Sequence, residues 1–170
     1  MHFLFLRSTM AGNYSVALVP AGFHPTLRLS YDAPSVDCPL FARYRVPPAF
    51  IIDRFQLAQL HADHRLGSSS SSNSTTLSVT GERDLEAPVG RTGESIVVLR
   101  LSAAAKGKAR ERQEGSVELP LHVRYQLPVE RRRNDQGERI DLVEIGMEEP
   151  VLFWACDAST SVFFDPSTYV

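Results

Sequence analysis

Histidines are the residues of this chain best suited to chemistry, and two of them are closely spaced. His61 and His64 lie three positions apart in the segment HADH. On a helix, residues at this spacing share a face, so the two imidazoles would chelate a zinc ion. No third ligand is near them in the sequence, and a polar serine tract follows directly. We therefore favour a solvated helix end, and we predict no metal and no cofactor.

A second candidate is His122, which lies on the polar side of an alternating segment. It would act as a general base if a carboxylate oriented its ring, and Glu118 lies four positions earlier on the same side. Ser116 and Asp141 would complete a hydrolytic triad, but a triad is defined by geometry, which spacing does not supply. A half-buried histidine bonded to a backbone group is the simpler interpretation, so we predict no catalytic residue.

The chain has two cysteines, Cys38 and Cys156, and two thiols cannot hold a metal by themselves. Their spacing leaves two alternatives: a disulfide that closes a long loop in an oxidising compartment, or two free buried thiols. Two sequons, at Asn13 and Asn73, are candidate N-glycosylation sites. Asn73 is the better candidate because it lies in a serine-rich loop, where a glycan meets no steric resistance.

The amino-acid composition argues against some classes of function. One hundred and seventy residues make about one domain, and 18 basic against 20 acidic residues give a net charge of −2. This balance argues against a nucleic-acid partner, and the basic run 131–133 has acidic neighbours that indicate a solvated loop. A membrane helix needs ~20 apolar residues, which no stretch of the sequence provides. The opening MHFLFLRSTM matches a signal peptide only weakly.

Period-2 alternation of apolar and polar residues predicts half-buried strands along most of the chain. The predicted strands are 14–19, 26–31, 39–46, 95–102, 116–127, 139–147 and 150–156. In 116–127 the alternation places Tyr125 on the apolar side, and His122 and Arg124 on the polar side. One short helix is predicted after Asp53, which would cap it.

Strands with proline and glycine between them, and no run of long helices, indicate an all-β protein. We predict a single domain, 1–170, that forms an antiparallel β-sandwich with one short helix and long polar loops. The predicted loops are 67–76, which is a flexible serine-rich tract, 103–115, and 129–139, which is a charged hairpin connection.

Four segments of the chain carry motifs that occur in a fixed order. The first is CPLFARYRVPPAFIIDRFQLAQL at 38–60, which contains the motif residues Pro47 and Asp53. The others are DLEAP at 84–88, LPLHVRYQLP at 119–128 and PVLFWAC at 150–156, with Trp154. The most specific is 119–128, whose motif residues are Pro120, His122, Arg124 and Tyr125. Together these segments resemble the PIG-X/Pbn-type family, and the resemblance covers about 38–156.

The family implies a function without catalysis by this chain. Its members are accessory subunits that stabilise the catalytic, PIG-M-type subunit of glycosylphosphatidylinositol (GPI) mannosyltransferase I, which adds the first mannose of the GPI anchor. The resemblance implies a lumenal domain at the endoplasmic reticulum membrane, held in the family by a single C-terminal membrane helix. It also implies that His122, Arg124 and Tyr125 are framework or partner-contact residues.

The chain departs from the family pattern at both ends. It has neither a proper N-terminal signal nor the C-terminal membrane helix, so we expect either a fragment of a longer protein or an incomplete gene model. An alternative function is a free lumenal β-sandwich that binds a glycan or a peptide. That alternative predicts exposed aromatic residues in the loops, whereas the sequence places Trp154 in an apolar strand. A small hydrolase that uses His122 is a third alternative.

Overall fold

Strands dominate the chain, and the predicted all-β fold is confirmed. The computed structural model describes residues 4–9, 12–19, 21–34, 37–63, 65–66, 77–82, 84–102, 112–127, 132–133, 139–140, 143 and 145–156. The strands in these ranges are β1 (Leu4–Thr9), β2 (Gly12–Val19), β3 (Thr26–Ala33), β4 (Leu40–Val46), β5 (Phe50–Ile51), β6 (Leu77–Gly81), β7 (Ser95–Ser102), β8 (Gln113–Pro120), β9 (His122–Val123), β10 (Arg132–Arg133), β11 (Arg139–Ile140) and β12 (Val151–Trp154). One α-helix, α1 (Arg54–Ala62), and one 3-10 helix, Val89–Arg91, complete the described elements.

Two four-stranded antiparallel sheets form the body of the domain. The first has the order β1-β2-β3-β8 and the second β12-β4-β7-β6. Their alternate residues point inward, since every second residue of a strand faces the same side of its sheet. These residues form one buried cluster drawn from both sheets, with Leu29 and Leu119 from the first and Tyr44 and Leu99 from the second. The shared core makes the domain a sandwich, as predicted.

Tyr31 links the two sheets directly. Its hydroxyl donates a hydrogen bond of 3.0 Å to the backbone carbonyl of Leu101, which lies in β7 of the other sheet. Its ring lies over Gly115, its cross-strand neighbour in β8. A Cβ atom at position 115 would lie 2.5 Å from the Tyr31 hydroxyl oxygen. Only glycine therefore leaves room for the tyrosine that joins the sheets.

A short helix and a small ladder lie beside the sandwich. Asp53 caps α1, because its Oδ1 accepts from the backbone N–H groups of Phe55 and Gln56 at 2.9 and 3.1 Å. Leu57 is the fully buried residue of the helix. The two-residue strands β5 and β9 pair with each other, and β10 pairs with β11. None of the described helices is long and apolar enough to cross a membrane.

The predicted strand 116–127 is wrong in its second half. The strand that pairs with β3 ends at Pro120, and the chain then pairs with β5 through β9. When the chain changes its pairing strand from β3 to β5, the side of the chain that faces the interior also changes. Arg124 is therefore buried, at 4% exposure, and Tyr125 is 85% exposed. The sequence predicted the opposite orientation for both side chains. A period-2 pattern holds only while a strand keeps the same sheet beneath it.

Other boundaries also differ from those predicted. Of 139–147, the structure describes Arg139–Ile140 as a strand and 145–147 as irregular. The predicted loop 129–139 contains β10 and meets β11, with which it forms a hairpin. Loop 103–115 ends earlier than predicted, because β8 begins at Gln113. The opening segment supplies β1, an edge strand paired with β2. The serine tract 67–76 lies outside the described residues.

Candidate functional site

Residues 121–127, called here the β9 segment, connect the parts of the chain that carry the motif residues. On one edge, the N–H groups of Leu121 and Val123 donate to the carbonyls of Pro25 and Phe23 at 2.9 and 2.8 Å. On the other edge, the N–H of Arg124 donates to the carbonyl of Ala49 at 2.9 Å, next to β5. The turn 21–25 and the β5 region therefore flank the β9 segment as in a three-stranded ribbon.

Arg124 fixes a loop onto this ribbon. Its Nη1 donates to the backbone carbonyls of Asp84 and Ala87 at 2.9 and 2.5 Å. The loop has its own support, because Asp84 Oδ1 accepts from the N–H groups of Glu86 and Ala87 at 2.9 and 3.1 Å. Burying a charge costs less when the charged group makes charge-assisted hydrogen bonds, and here Nη1 donates two of them to carbonyls of the loop. Two of the motif segments, 84–88 and 119–128, thus meet at Arg124.

His122 joins three elements through its ring. Its Nδ1 lies 2.8 Å from Nδ1 of His24 in the turn 21–25, and its Nε2 lies 2.9 Å from Oε1 of Gln56 in α1. The two imidazole rings meet edge to face, with centroids 4.8 Å apart. The pKa of His122 is lowered from 6.5 by burial first and by His24 second, while Asp53 acts in the opposite direction. These contacts hold the neutral ring as a bridge.

The structure describes only some of the residues that the triad and metal interpretations require. Glu118 pairs with Arg28 in the neighbouring strand, with Arg28 Nη2 at 2.7 Å from its Oε1, and its carboxylate is not the partner of His122. Asp141 and His64 lie outside the described residues. Within the part of the chain that the structure describes, no group of three metal-binding side chains comes together. His122 is placed to position its neighbours.

Exposed apolar residues concentrate around the β9 segment. Of the eight large exposed hydrophobic side chains among the described residues, five lie on this segment or on the parts bonded to it. We call these five the β9 surface: Phe23, Phe55, Leu85, Tyr125 and Leu127. Three of them are aromatic, with exposures of 70% for Phe23, 84% for Phe55 and 85% for Tyr125. Phe23 and Tyr125 lie outside the strands, so this domain presents exposed aromatic residues on its connecting segments.

Sequence reasoning did not identify Phe23, His24, Phe55 or Gln56 as site residues. Phe23 follows Gly22, whose φ of 61° marks a turn, and the N–H of His24 donates to the carbonyl of Ala21 to close it. A phenylalanine at a turn tip was the one available signal, because a turn tip offers it no burial. The pairing of His24 with His122 spans 98 positions and has no local signal.

The remaining candidate residues are dispersed over the domain. Pro47 follows β4 and its carbonyl accepts from the N–H of Phe50, and Pro120 ends β8. Trp154 is half-buried in β12 and packs against the core. Cys38 and Cys156 form a disulfide, with Cα atoms 4.8 Å apart. Asn13 is exposed in β2, and Asn73 lies outside the described residues.

The fold and the site define a class: an all-β sandwich with a disulfide, a buried arginine that holds an acidic loop, and exposed aromatic residues beside it. Comparison with known proteins gives the family. A family model described as PIG-X / PBN1 matches residues 20–168, and this chain belongs to that family. The resemblance found in the sequence motifs is thereby confirmed.

Several fungal relatives are similar over most of the chain. Protein PBN1 of Gibberella zeae is 34% identical over 158 residues, covering 88% of this chain and 28% of the relative. Protein pbn1 of Schizosaccharomyces pombe is 28% identical over 158 residues, covering 89% of this chain and 43% of the relative. This chain thus spans about a quarter to two fifths of these relatives' length. No solved structure matches it.

Proposed function

We propose that this domain is a non-catalytic accessory unit in GPI-anchor biosynthesis, which stabilises the catalytic subunit of GPI mannosyltransferase I. Membership of the PIG-X / PBN1 family supports the role in GPI-anchor biosynthesis. The concentration of exposed apolar residues in the β9 surface is the observation that favours action by docking. Clustered apolar residues on a domain that already has a complete core usually mark a site of protein contact.

The β9 surface has features that a docking site requires. Its side chains project from segments that backbone hydrogen bonds and Arg124 hold in place, so little ordering entropy is lost on binding. Aromatic side chains supply large contact area and are enriched among the residues that dominate binding energy. The proposed partner is the PIG-M-type catalytic subunit, whose lumenal parts would cover Phe23, Phe55 and Tyr125.

A rescue experiment tests the proposal. The reading frame that contains this domain is expressed in cells lacking the accessory subunit, together with the catalytic subunit of the same species. Surface GPI-anchored protein and the abundance of the catalytic subunit are measured together, and both are expected to recover. If the matched catalytic subunit is synthesised and neither quantity rises, the accessory role is wrong.

Point variants then test the docking surface. Tyr125→Asp and Phe55→Asp place a charge where apolar contact is proposed, and both side chains are solvated in the free domain, so folding should be preserved. Each is expected to reduce co-purification of the catalytic subunit by tenfold or more, as hot-spot losses of about 2 kcal/mol or more imply. Val143→Asp is the matched control, because Val143 is exposed elsewhere in the chain. Equal loss in all three variants would contradict a localised surface.

We also propose that the domain resides in the lumen of the endoplasmic reticulum. The disulfide between Cys38 and Cys156 supports an oxidising compartment, since such bonds are rare in the cytosol. Asn13, exposed at the start of β2, and Asn73 are the proposed glycan sites. Expression in cells should give a protein whose mobility shifts on glycosidase treatment, and Asn13→Gln with Asn73→Gln should abolish the shift. An unshifted wild type with free thiols would contradict lumenal residence.

The exposed aromatic residues also favour a second candidate, a free lumenal domain that binds a glycan or peptide. Phe23 and Tyr125 offer ring surfaces of the kind on which a sugar stacks. In this case the isolated chain would bind a glycan or peptide library with an affinity that Tyr125→Ala reduces, and the catalytic subunit would remain stable without it. The rescue experiment separates the two, because only the accessory unit controls the abundance of the catalytic subunit.

A further inference from the structure

The contacts of His122 form a continuous chain of hydrogen bonds across three elements. The chain runs from Nδ1 of His24, in the turn 21–25, to Nδ1 of His122, and from Nε2 of His122 to Oε1 of Gln56 in α1. The two bonds measure 2.8 and 2.9 Å. They span 98 and 66 positions of sequence, so they connect parts of the domain that the chain itself does not hold together.

The partners fix where the protons are. Oε1 of Gln56 is a carbonyl oxygen and only accepts, so Nε2 of His122 carries the hydrogen. A neutral imidazole has one donor and one acceptor, which makes Nδ1 of His122 the acceptor. His24 must therefore donate from its own Nδ1. The Nδ1–Nδ1 bond requires that one of the two facing nitrogens keeps its lone pair, so it forms only while at least one of the two rings is neutral.

We propose that the His24–His122–Gln56 chain is a proton-sensitive latch. When both rings are protonated, two N–H donors face each other across the short separation, and the contact becomes repulsive. The backbone bonds from Leu121 and Val123 then remain to hold the turn 21–25. The latch is closed while at least one of the two rings is neutral and open when both are protonated.

The surroundings of His122 set the pH range in which the latch works. From the turn 21–25, His24 is the titratable group that faces the ring, and from the N-terminus of α1 it is the Asp53 carboxylate. Ile51 of β5, which pairs with His122, is uncharged. The guanidinium of Arg124 is hydrogen-bonded to the loop 84–88. Burial and His24 lower the pKa of His122 below 6.5, and they outweigh Asp53. The latch is therefore closed at neutral pH and opens in acid.

The latch joins the two ends of the β9 surface. Phe23 precedes His24, and Phe55 precedes Gln56, so the bonded side chains are direct neighbours of two exposed aromatic residues. Opening would release Phe23 from its fixed position relative to Phe55. Weaker partner binding in acid is an additional consequence, and it rests on the proposed docking function; the latch itself does not.

Imidazole NMR of the 170-residue chain labelled with ¹⁵N tests the latch without any partner. At neutral pH, His122 is expected as the Nε2–H tautomer and His24 as the Nδ1–H tautomer. On acidification, the pKa of His122 should lie below 6.5, and the amide protons of Leu121 and Val123, which bond the turn 21–25, should lose exchange protection as both rings become protonated. A His24 ring in the Nε2–H tautomer at neutral pH, or unchanged protection when both rings are protonated, would overturn the proposal.

A variant at the solvated end of the chain of bonds provides the second measurement. His24→Ala removes the partner from an exposed turn, so the core stays intact. The pKa of His122 should move up toward 6.5, and exchange protection of the Leu121 and Val123 amides should no longer follow the titration of His122. His61→Ala, on the same helix as Gln56, is the matched control and should change neither quantity. If the docking experiments fail and these two measurements succeed, the latch is supported and the proposed docking function is wrong.

Discussion

Arg124 and Asp84 are 40 positions apart in the chain, yet Nη1 of Arg124 donates a 2.9 Å hydrogen bond to the backbone carbonyl of Asp84. The same nitrogen reaches the carbonyl of Ala87, so one guanidinium closes the loop 84–88 onto the β9 segment. The loop presents Leu85, one of the five residues of the β9 surface. A buried cation thus determines the position of an exposed apolar residue.

Replacing Arg124 should release this loop. Arg124→Met keeps the length and apolar stem of the side chain but removes both charge-assisted hydrogen bonds, and we expect a loss of about 1–3 kcal/mol in the free energy of unfolding. Urea denaturation measures the loss, and limited proteolysis should show new cleavage within 84–88. Arg28→Met is the control, because its exposed ion pair with Glu118 contributes only about 0–1 kcal/mol. Equal effects of the two variants would contradict a special role for Arg124.

A methyl group at position 115 should disturb the link between the sheets. In Gly115→Ala the new Cβ would lie 2.5 Å from the Tyr31 hydroxyl oxygen, which cannot retreat without breaking its bond to Leu101. We expect a loss of about 1–3 kcal/mol, as in other overpacked cores. Gly93→Ala is the matched control, since a Cβ atom added at position 93 would meet nothing within 4 Å. Thermal unfolding compares them, and identical midpoints would show that Tyr31 moves freely.

The sequence predicts a strand correctly where that strand pairs with the same neighbouring strand along its length. The segment predicted as 95–102 is β7, Ser95–Ser102, because it pairs with β4 along its length and its residues Val97, Leu99 and Leu101 all face the core. The segment 116–127 fails after Pro120, where the chain exchanges β3 for β5. Arg124 then turns inward to meet carbonyls of a loop that is remote in sequence.

The candidate site was accessible to sequence reasoning only through its motifs. The family resemblance identified His122, Arg124 and Tyr125 as framework or contact residues, but their partners His24, Gln56 and Asp84 lie 98, 66 and 40 positions away from the residues they bind. No periodicity or spacing predicts contacts between such distant residues, since they arise from the tertiary arrangement of the turn, helix and loop around the β9 segment.

Reduction of the disulfide should destabilise the domain strongly. Cys38 and Cys156 are 118 positions apart, and a cross-link over a loop of this length restricts the unfolded chain by about 4–5 kcal/mol in the chain-entropy account. Urea denaturation with and without a thiol reductant measures the difference. The double variant Cys38→Ser with Cys156→Ser should have the stability of the reduced wild type and should not respond to reductant. A wild type that is equally stable in both conditions would show that the bond is absent from the protein in solution.

Tyr31 should limit stability at alkaline pH. Burial raises its pKa from 10.0 to about 12, so the folded state favours the neutral phenol and the unfolded state ionises first. The contribution is fully present below pH 10.0 and is lost as the pH rises through about 12. Tyr31→Phe, which cannot ionise, should therefore weaken the fall in unfolding free energy across this range, although it is less stable at neutral pH because its bond to Leu101 is lost. Tyr125→Phe is the control, because Tyr125 is exposed. Denaturation curves at pH values from neutral to about 12 give the unfolding free energy as a function of pH. Tyr125→Phe should show the same dependence as the wild type, and Tyr31→Phe a weaker one. A Tyr31→Phe slope equal to that of the wild type would mean that the Tyr31 hydroxyl is open to solvent in the folded domain.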